Sequence, residues 1–174
     1  MTVKTVMNLK IFVCLKFALY LFFGKGFFLF LWRFLALNRR KQRELIFLLL
    51  FEHIFTGYSF EELKEIKLST EELSQNDFGG FSEEYFKEIL EKTSELDELI
   101  AKHSIKWCKE RLSKVALTIL RLAVYEIIFR DEIPVSVAIN EAVELSKKYG
   151  ADKESSFVNG ILGGISRDLE SKND

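Results

Sequence analysis

Leu112, Val115, Ala116, Ile119, Leu120, Ala123 and Ile127 recur at the i, i+3, i+4, i+7 spacing that places side chains on one face of an α-helix. A helix with such a face is stable only when other elements cover it, so this segment commits the chain to helix-on-helix packing. One proline and nine glycines in 174 residues leave little material for the turns of a β-sandwich. No segment shows sustained strand alternation, and no internal repeat is present. Hydrophobic residues make up 48% of the chain, enough for a packed core and against wholesale disorder. The expected fold is all-α, a compact single domain of about seven helices.

Local signals place those helices. Asn38 reads as a cap, followed by Arg39, Arg40, Lys41 and Arg43, and then by Leu45 to Phe51 without a polar interruption. So apolar a helix belongs at the centre of the core, and Gly57 is its stop. Ser59–Glu62 and Ser69–Glu72 both fit the capping box, which predicts a short helix after each. Asn76 to Gly80 reads as a loop. A single long helix is expected from Ser82 to about His103, with Phe86, Ile89, Thr93, Leu96 and Ile100 on its buried stripe. After the amphipathic helix that follows Trp107, Asp131 to Pro134 is a break. Ser136 is the expected cap of the next helix, which buries Ala138, Ala142, Leu145 and Tyr149, pairs Glu144 with Lys148 and ends at Gly150. Ser155 or Ser156 opens a last helix through Leu169, loosened by Gly160, Gly163 and Gly164.

The net charge of -1 hides an asymmetry. All 26 acidic residues lie at or beyond Glu44, whereas Lys4, Lys10, Lys16, Lys25 and Arg33 precede the arginine cluster. An acidic body with a basic opening excludes a general nucleic-acid coat, so any anion site must be local. Residues 1–37 form an apolar Phe/Leu-rich leader of three possible kinds. We expect a mis-assigned start, the natural one lying near Leu37, because this composition resembles translated AT-rich DNA. The alternatives are a membrane segment over Phe12–Leu31 and an interfacial segment. The clean apolar runs are shorter than the about 20 residues a span needs, and no small-x-small cleavage site follows. Residues 38–170 form the body and 171–174 a polar tail. Cys14 and Cys108 are too few for a disulfide framework or a zinc site, which suits a reducing cytoplasm.

Three linked motifs carry a resemblance. Trp107, Arg111-Leu112 and Ile119-Leu120-Arg121-Leu122-Ala123-Val124-Tyr125-Glu126 come first. The run from Ile133 to Gly150 follows, with Phe157-Val158-Asn159-Gly160-Ile161-Leu162 after it. Together with the basic opening at Arg39, they resemble the NusB family over about residues 38–169. The resemblance implies two packed helical subdomains and a transcription antitermination factor. Such a factor binds boxA RNA with NusE, a small-subunit ribosomal protein, within the RNA polymerase antitermination complex of ribosomal RNA operons. It further implies a cytoplasmic monomer or homodimer with no cofactor and no catalytic residues. A membrane partner enters only if residues 1–37 are genuine. The alternatives are a membrane-tethered helical interaction protein and an accessory domain related to ribosomal RNA methyltransferases.

Within that frame, Arg39, Arg40, Lys41 and Arg43 are the candidate phosphate contacts. A helix N-terminus disfavours cations, so helix stability does not account for them. A solvated first turn is the bland alternative. Phe51 and Phe157 sit where the family places aromatics near RNA and are candidates for stacking on bases, against ordinary core burial. Lys153 and Ser156 are candidates for further phosphate contacts. Asn140 and Asn159 are expected to satisfy backbone groups. Arg121 and Glu126 are open between an internal ion pair and a partner contact. His53 and His103 stand alone, and adjacent pairs such as Glu61-Glu62 and Glu83-Glu84 diverge around a helix, so neither suggests a metal site or an acid–base dyad. Val115-Ala116-Leu117-Thr118 lacks the charges that relatives carry where their NusE surface lies, and Gly163-Gly164 is expected to fray the last helix.

Overall fold

The computed structural model describes residues 39–78, 81–104 and 112–173. The leader 1–37 with its Phe12–Leu31 segment, Asn38, Gly80, Cys14, Cys108, Trp107, Arg111 and Asp174 lie outside the described residues. The chain divides into two units, Met1–Lys41 and Gln42–Asp174. Of the first, residues 39–41 are described; they are helical and exposed. Among the described residues there are seven α-helices, one 3-10 turn and no strand. The helices are α1 (39–56), α2 (Phe60–Ser69), α3 (Ser82–Glu91), α4 (Thr93–His103), α5 (Lys114–Phe129), α6 (Val135–Tyr149) and α7 (Glu154–Asn173), with the 3-10 turn at Gln75–Phe78. None is long and apolar enough to cross a membrane.

The amphipathic segment beyond Trp107 is α5, and it is the hub. Its expected face is buried at Ala116, Ile119, Leu120 and Ala123, while Val115 and Ile127 pack partly against the core. Leu122, Val124 and Tyr125 bury its other sides as well. A helix covered on this many sides needs several neighbours, and α5 packs on α3, α4, α6 and α7. From α1, Leu45, Ile46, Phe47, Leu49 and Leu50 enter the same core. α6 and α7 pair as a hairpin.

Several boundaries follow from local chemistry. Gly57 closes α1 at φ 71, a left-handed conformation open to glycine, with its N–H donating to His53 O at 2.8 Å. Ser59 opens α2 with both halves of the capping box in place. The second predicted box fails: Ser69 and Thr70 end α2 instead. Their hydroxyls donate back to Ile66 O at 2.8 and 3.0 Å, and Glu71 turns the chain at φ 54. Part of the expected 76–80 loop is the 3-10 turn, whose Asp77 carboxylate accepts from Ser74 N.

The expected Ser82–His103 helix bends at Lys92 into α3 and α4. The hydroxyl of Thr93 donates to Ile89 O at 2.9 Å, a back-bond of the kind that bends helices. Ser136 is not a cap, because α6 starts at Val135 behind Pro134, whose carbonyl accepts from Val137 and Ala138. α7 begins one residue before Ser155 and runs unbroken through its glycines to Asn173. Gly164 there has a packing role: a Cβ would lie 3.1 Å from the His103 ring, which seats α7 against α4. Glu144 pairs with Lys147 rather than with Lys148.

Across the core, Arg43 of α1 donates through Nε to both oxygens of Glu126 on α5, at 2.8 and 3.0 Å. Removing one member of such a pair strands a buried charge. Arg43→Met alone, or Glu126→Leu alone, is therefore expected to lower the unfolding free energy by about 3–5 kcal/mol. The double substitution should recover most of that loss, because an apolar pair needs no partner. Urea denaturation of the three variants checks this.

Candidate nucleic-acid interface

Arg39, Arg40 and Lys41 occupy the first described turn of α1 and are exposed. Arg43 is not one of these surface cations, which corrects the expectation of a four-residue phosphate clamp. It shares the inward stripe of α1 with Ile46, Phe47 and Leu50, so its side chain is 5% exposed and its charge is answered by Glu126, 1% exposed. A phosphate reaching this guanidinium would have to break a buried ion pair.

Phe51 also departs from its expected place. It is partly buried, stacked on Phe47 at 6.0 Å and met edge-on by Phe55 at 5.1 Å. The ring that faces solvent is Phe55, 61% exposed, with Lys114 Nζ 4.1 Å from its centroid. Leu48, 37% exposed, lies two turns before it on the same face of α1. Phe55 stands beside the helix stop and so escapes a reading based on the apolar run, yet its i, i+4 spacing from Phe51 is the signal that marks it.

The second group of candidates clusters at the end of the α6–α7 hairpin. Gly150 caps α6 by donating to Ser146 O at 2.9 Å, and a Cβ there would stand 2.6 Å from that carbonyl and 2.5 Å from Glu154 Oε2. Glu154 in turn accepts from Ala151 N at 3.1 Å, tying off the first turn of α7. Lys153 is exposed in a left-handed conformation at φ 74, and Ser156 is exposed one turn on. The Phe157 N–H donates to Lys153 O at 3.2 Å, and its ring packs partly against the core. The structure thus brings Lys153, Ser156 and Phe157 onto one turn.

From α1, Glu44 reaches the same end of α6. Its Oε1 accepts from both Lys148 Nζ and the Tyr149 hydroxyl. The Tyr149 ring lies 4.9 Å from Phe47. Hydrogen bonding to Glu44, reinforced by Tyr149, raises the Lys148 ammonium above its ordinary range. Burial, and then Glu44, pushes the Tyr149 phenol upward.

Arg121 and Glu126 both make internal ion pairs, Arg121 with Asp97 of α4 through two bonds of 2.7 Å. Asn140 and Asn159 do not satisfy backbone groups as expected, since both are exposed on the outer sides of α6 and α7. His53 Nδ1 sits 2.7 Å from Tyr58 O, and His103 bridges Leu99 O and Asp168 at 3.0 and 3.1 Å, so both are engaged in the fold. Among the described residues, no three His, Cys, Asp or Glu side chains group as metal ligands.

A model of the NusB family matches residues 40–167. The chain belongs to the NusB family. It is 42% identical over 130 residues to the transcription antitermination protein NusB of Clostridium novyi (strain NT), covering 74% of this chain and 98% of that one. The NusB protein of Agathobacter rectalis is 45% identical over 128 residues, covering 72% and 97%. Among solved structures, T. maritima NusB superposes with a TM-score of 0.64 at 38% identity, over 74% of this chain and 90% of that one. NusB in a complex of the antitermination factors NusB and NusE with double-stranded RNA gives a TM-score of 0.64 at 28% identity, over 75% and 96%.

In this NusB-family hairpin, Gly150 is the residue whose lack of a side chain the geometry requires. Gly150→Ala pushes a methyl into the Ser146 carbonyl and is expected to cost about 1–3 kcal/mol of stability. Thermal unfolding, with hydrogen exchange at Ala151 to Phe157 as the local readout, checks it.

Proposed function

We propose that this chain is a non-catalytic transcription antitermination factor that binds single-stranded boxA-type RNA together with NusE. Its setting is the cytoplasm, on nascent ribosomal RNA transcripts. The observation that carries the reading is the exposed run of three consecutive cations, Arg39-Arg40-Lys41, followed by an acidic body. Consecutive exposed cations suit a polyanion, and a polyphosphate backbone is the anion that rewards several at once. A NusB–NusE complex with RNA among the structural neighbours supports the choice of partners.

Each residue then has a role. Arg39, Arg40 and Lys41 bind phosphates; Lys153 and Ser156 bind phosphates at the hairpin end, where the half-buried Phe157 is the candidate for base stacking. Arg43 anchors α1 from inside. Leu48 and Phe55 on α1, with Lys114 and the half-buried Leu117 on α5, form an apolar face suited to a protein partner. The family resemblance implies a NusE surface at the start of α5, so this face is assigned to NusE, and Phe51 supports it from beneath.

Binding of boxA RNA across a salt series, with and without NusE, tests the proposal. Charge reversal at Arg39 and Arg40 should weaken binding and flatten the log–log salt slope by about 0.7 for each phosphate that is no longer neutralised. Phe55→Ala should weaken NusE binding while leaving RNA binding by the chain alone unchanged. If neither RNA nor NusE binds at low salt, the reading is wrong.

A further inference from the structure

We infer that Lys148 is an additional RNA-phosphate contact that Glu44 holds in the free protein, and that RNA binding exchanges the carboxylate for a phosphate. The inference rests on the RNA-binding reading above. Lys148 occupies the last turn of α6, and Lys153, Ser156 and Phe157 follow across the turn at 150–153. All of them therefore border one hairpin end.

The two members of the pair are held very differently. Glu44 is fixed by a second donor, the Tyr149 hydroxyl, and Tyr149 is itself packed on Phe47. The Lys148 side chain is 58% exposed, on a flexible stem, with its ammonium 5.1 Å above the Tyr149 ring. Exposed ion pairs of this kind are weak, so a polyanion arriving at the turn competes for the ammonium. The neighbouring Lys147 pairs within its own helix, with Glu144, whereas Lys148 reaches across to α1. Glu44 is thus a positioning residue: it keeps the ammonium beside the turn, and it must be displaced when a phosphate takes its place.

The test uses the full chain and single-stranded boxA RNA over a salt series. Lys148→Ala is expected to weaken binding and to reduce the salt slope by about 0.7. Glu44→Gln removes the competing carboxylate and is expected to tighten binding about two- to fivefold. In a Lys148→Ala background, Glu44→Gln should give at most the small gain of losing one repelling charge, because the main gain acts through the ammonium. Tyr149→Phe removes the hydroxyl that fixes Glu44 but keeps the lysine and the ring beneath it; it should lower stability in urea yet leave the salt slope as it is. The inference is overturned if Lys148→Ala keeps the wild-type slope while the wild-type chain binds RNA. A Glu44→Gln gain that is as large without Lys148 as with it overturns it too. Failure of the wild-type chain to bind RNA overturns the underlying reading and this inference with it.

Discussion

Arg43 and Glu126 lie 83 residues apart in sequence and share one dry space between α1 and α5, where either charge alone would be strongly unfavourable. The apolar residues around them, Ile46, Phe47, Leu49 and Leu50, can pack against α5 in more than one register, because hydrophobic surfaces tolerate sliding and repacking. The ion pair cannot slide. It holds α1 antiparallel to α5, so that the far end of α1 brings Phe55 under Lys114 while Glu44 comes to the end of α6. The placement of both proposed surfaces, the hairpin end and the apolar face, follows from where this one pair closes.

The same logic repeats along α5. Three of its polar side chains each leave for a different helix: Glu126 to α1, Arg121 to Asp97 of α4, and Tyr125 to Glu88 of α3, with a hydrogen bond of 2.7 Å. The Tyr125 hydroxyl also accepts from Arg130 Nε at 2.9 Å, and Arg130 continues to Glu84. Burial, followed by the bond to Glu88, lifts the Tyr125 phenol far above its ordinary range, so it remains a neutral donor at any physiological pH. Apolar area holds α5 at the centre, and these directional contacts decide which neighbour lies on which side. Core packing alone does not supply that specificity.

What was legible in the sequence was whatever a few neighbouring residues decide. The period of α5, the Gly57 stop, the Ser59 box and the Gly150 cap each depend on a single turn of chain, and each stands in the structure where the pattern puts it. The failures share a cause. Ser69-Thr70-Glu71-Glu72 has the spacing of a helix opening, but the hydroxyls of Ser and Thr serve the carbonyls behind them as readily as the amides ahead. Only the length of α2, set by Phe60 and Leu63 reaching the core, decides between the two. Arg43 looked like its neighbours because burial of one cation in a cluster depends on a carboxylate far along the chain. Asn140 and Asn159 show the reverse error, since residues of mixed character inside a family motif carry no local sign of facing outward.

The charge distribution explains why a chain with a net charge of -1 can still select a polyanion. Across the body, Lys67, Lys87, Lys102, Arg121, Arg130 and Lys147 are each matched to carboxylates, so a phosphate must compete for them. The surplus acids repel nucleic acid from most of the surface. On the proposed reading, attraction acts through the exposed cations Arg39, Arg40 and Lys41 and through Lys153 at the hairpin end, and its range is cut to about 8 Å at physiological salt. Small basic sites amid an acidic surface favour local RNA contacts over indiscriminate coating. That is the behaviour required of a factor that must find one RNA element among many transcripts.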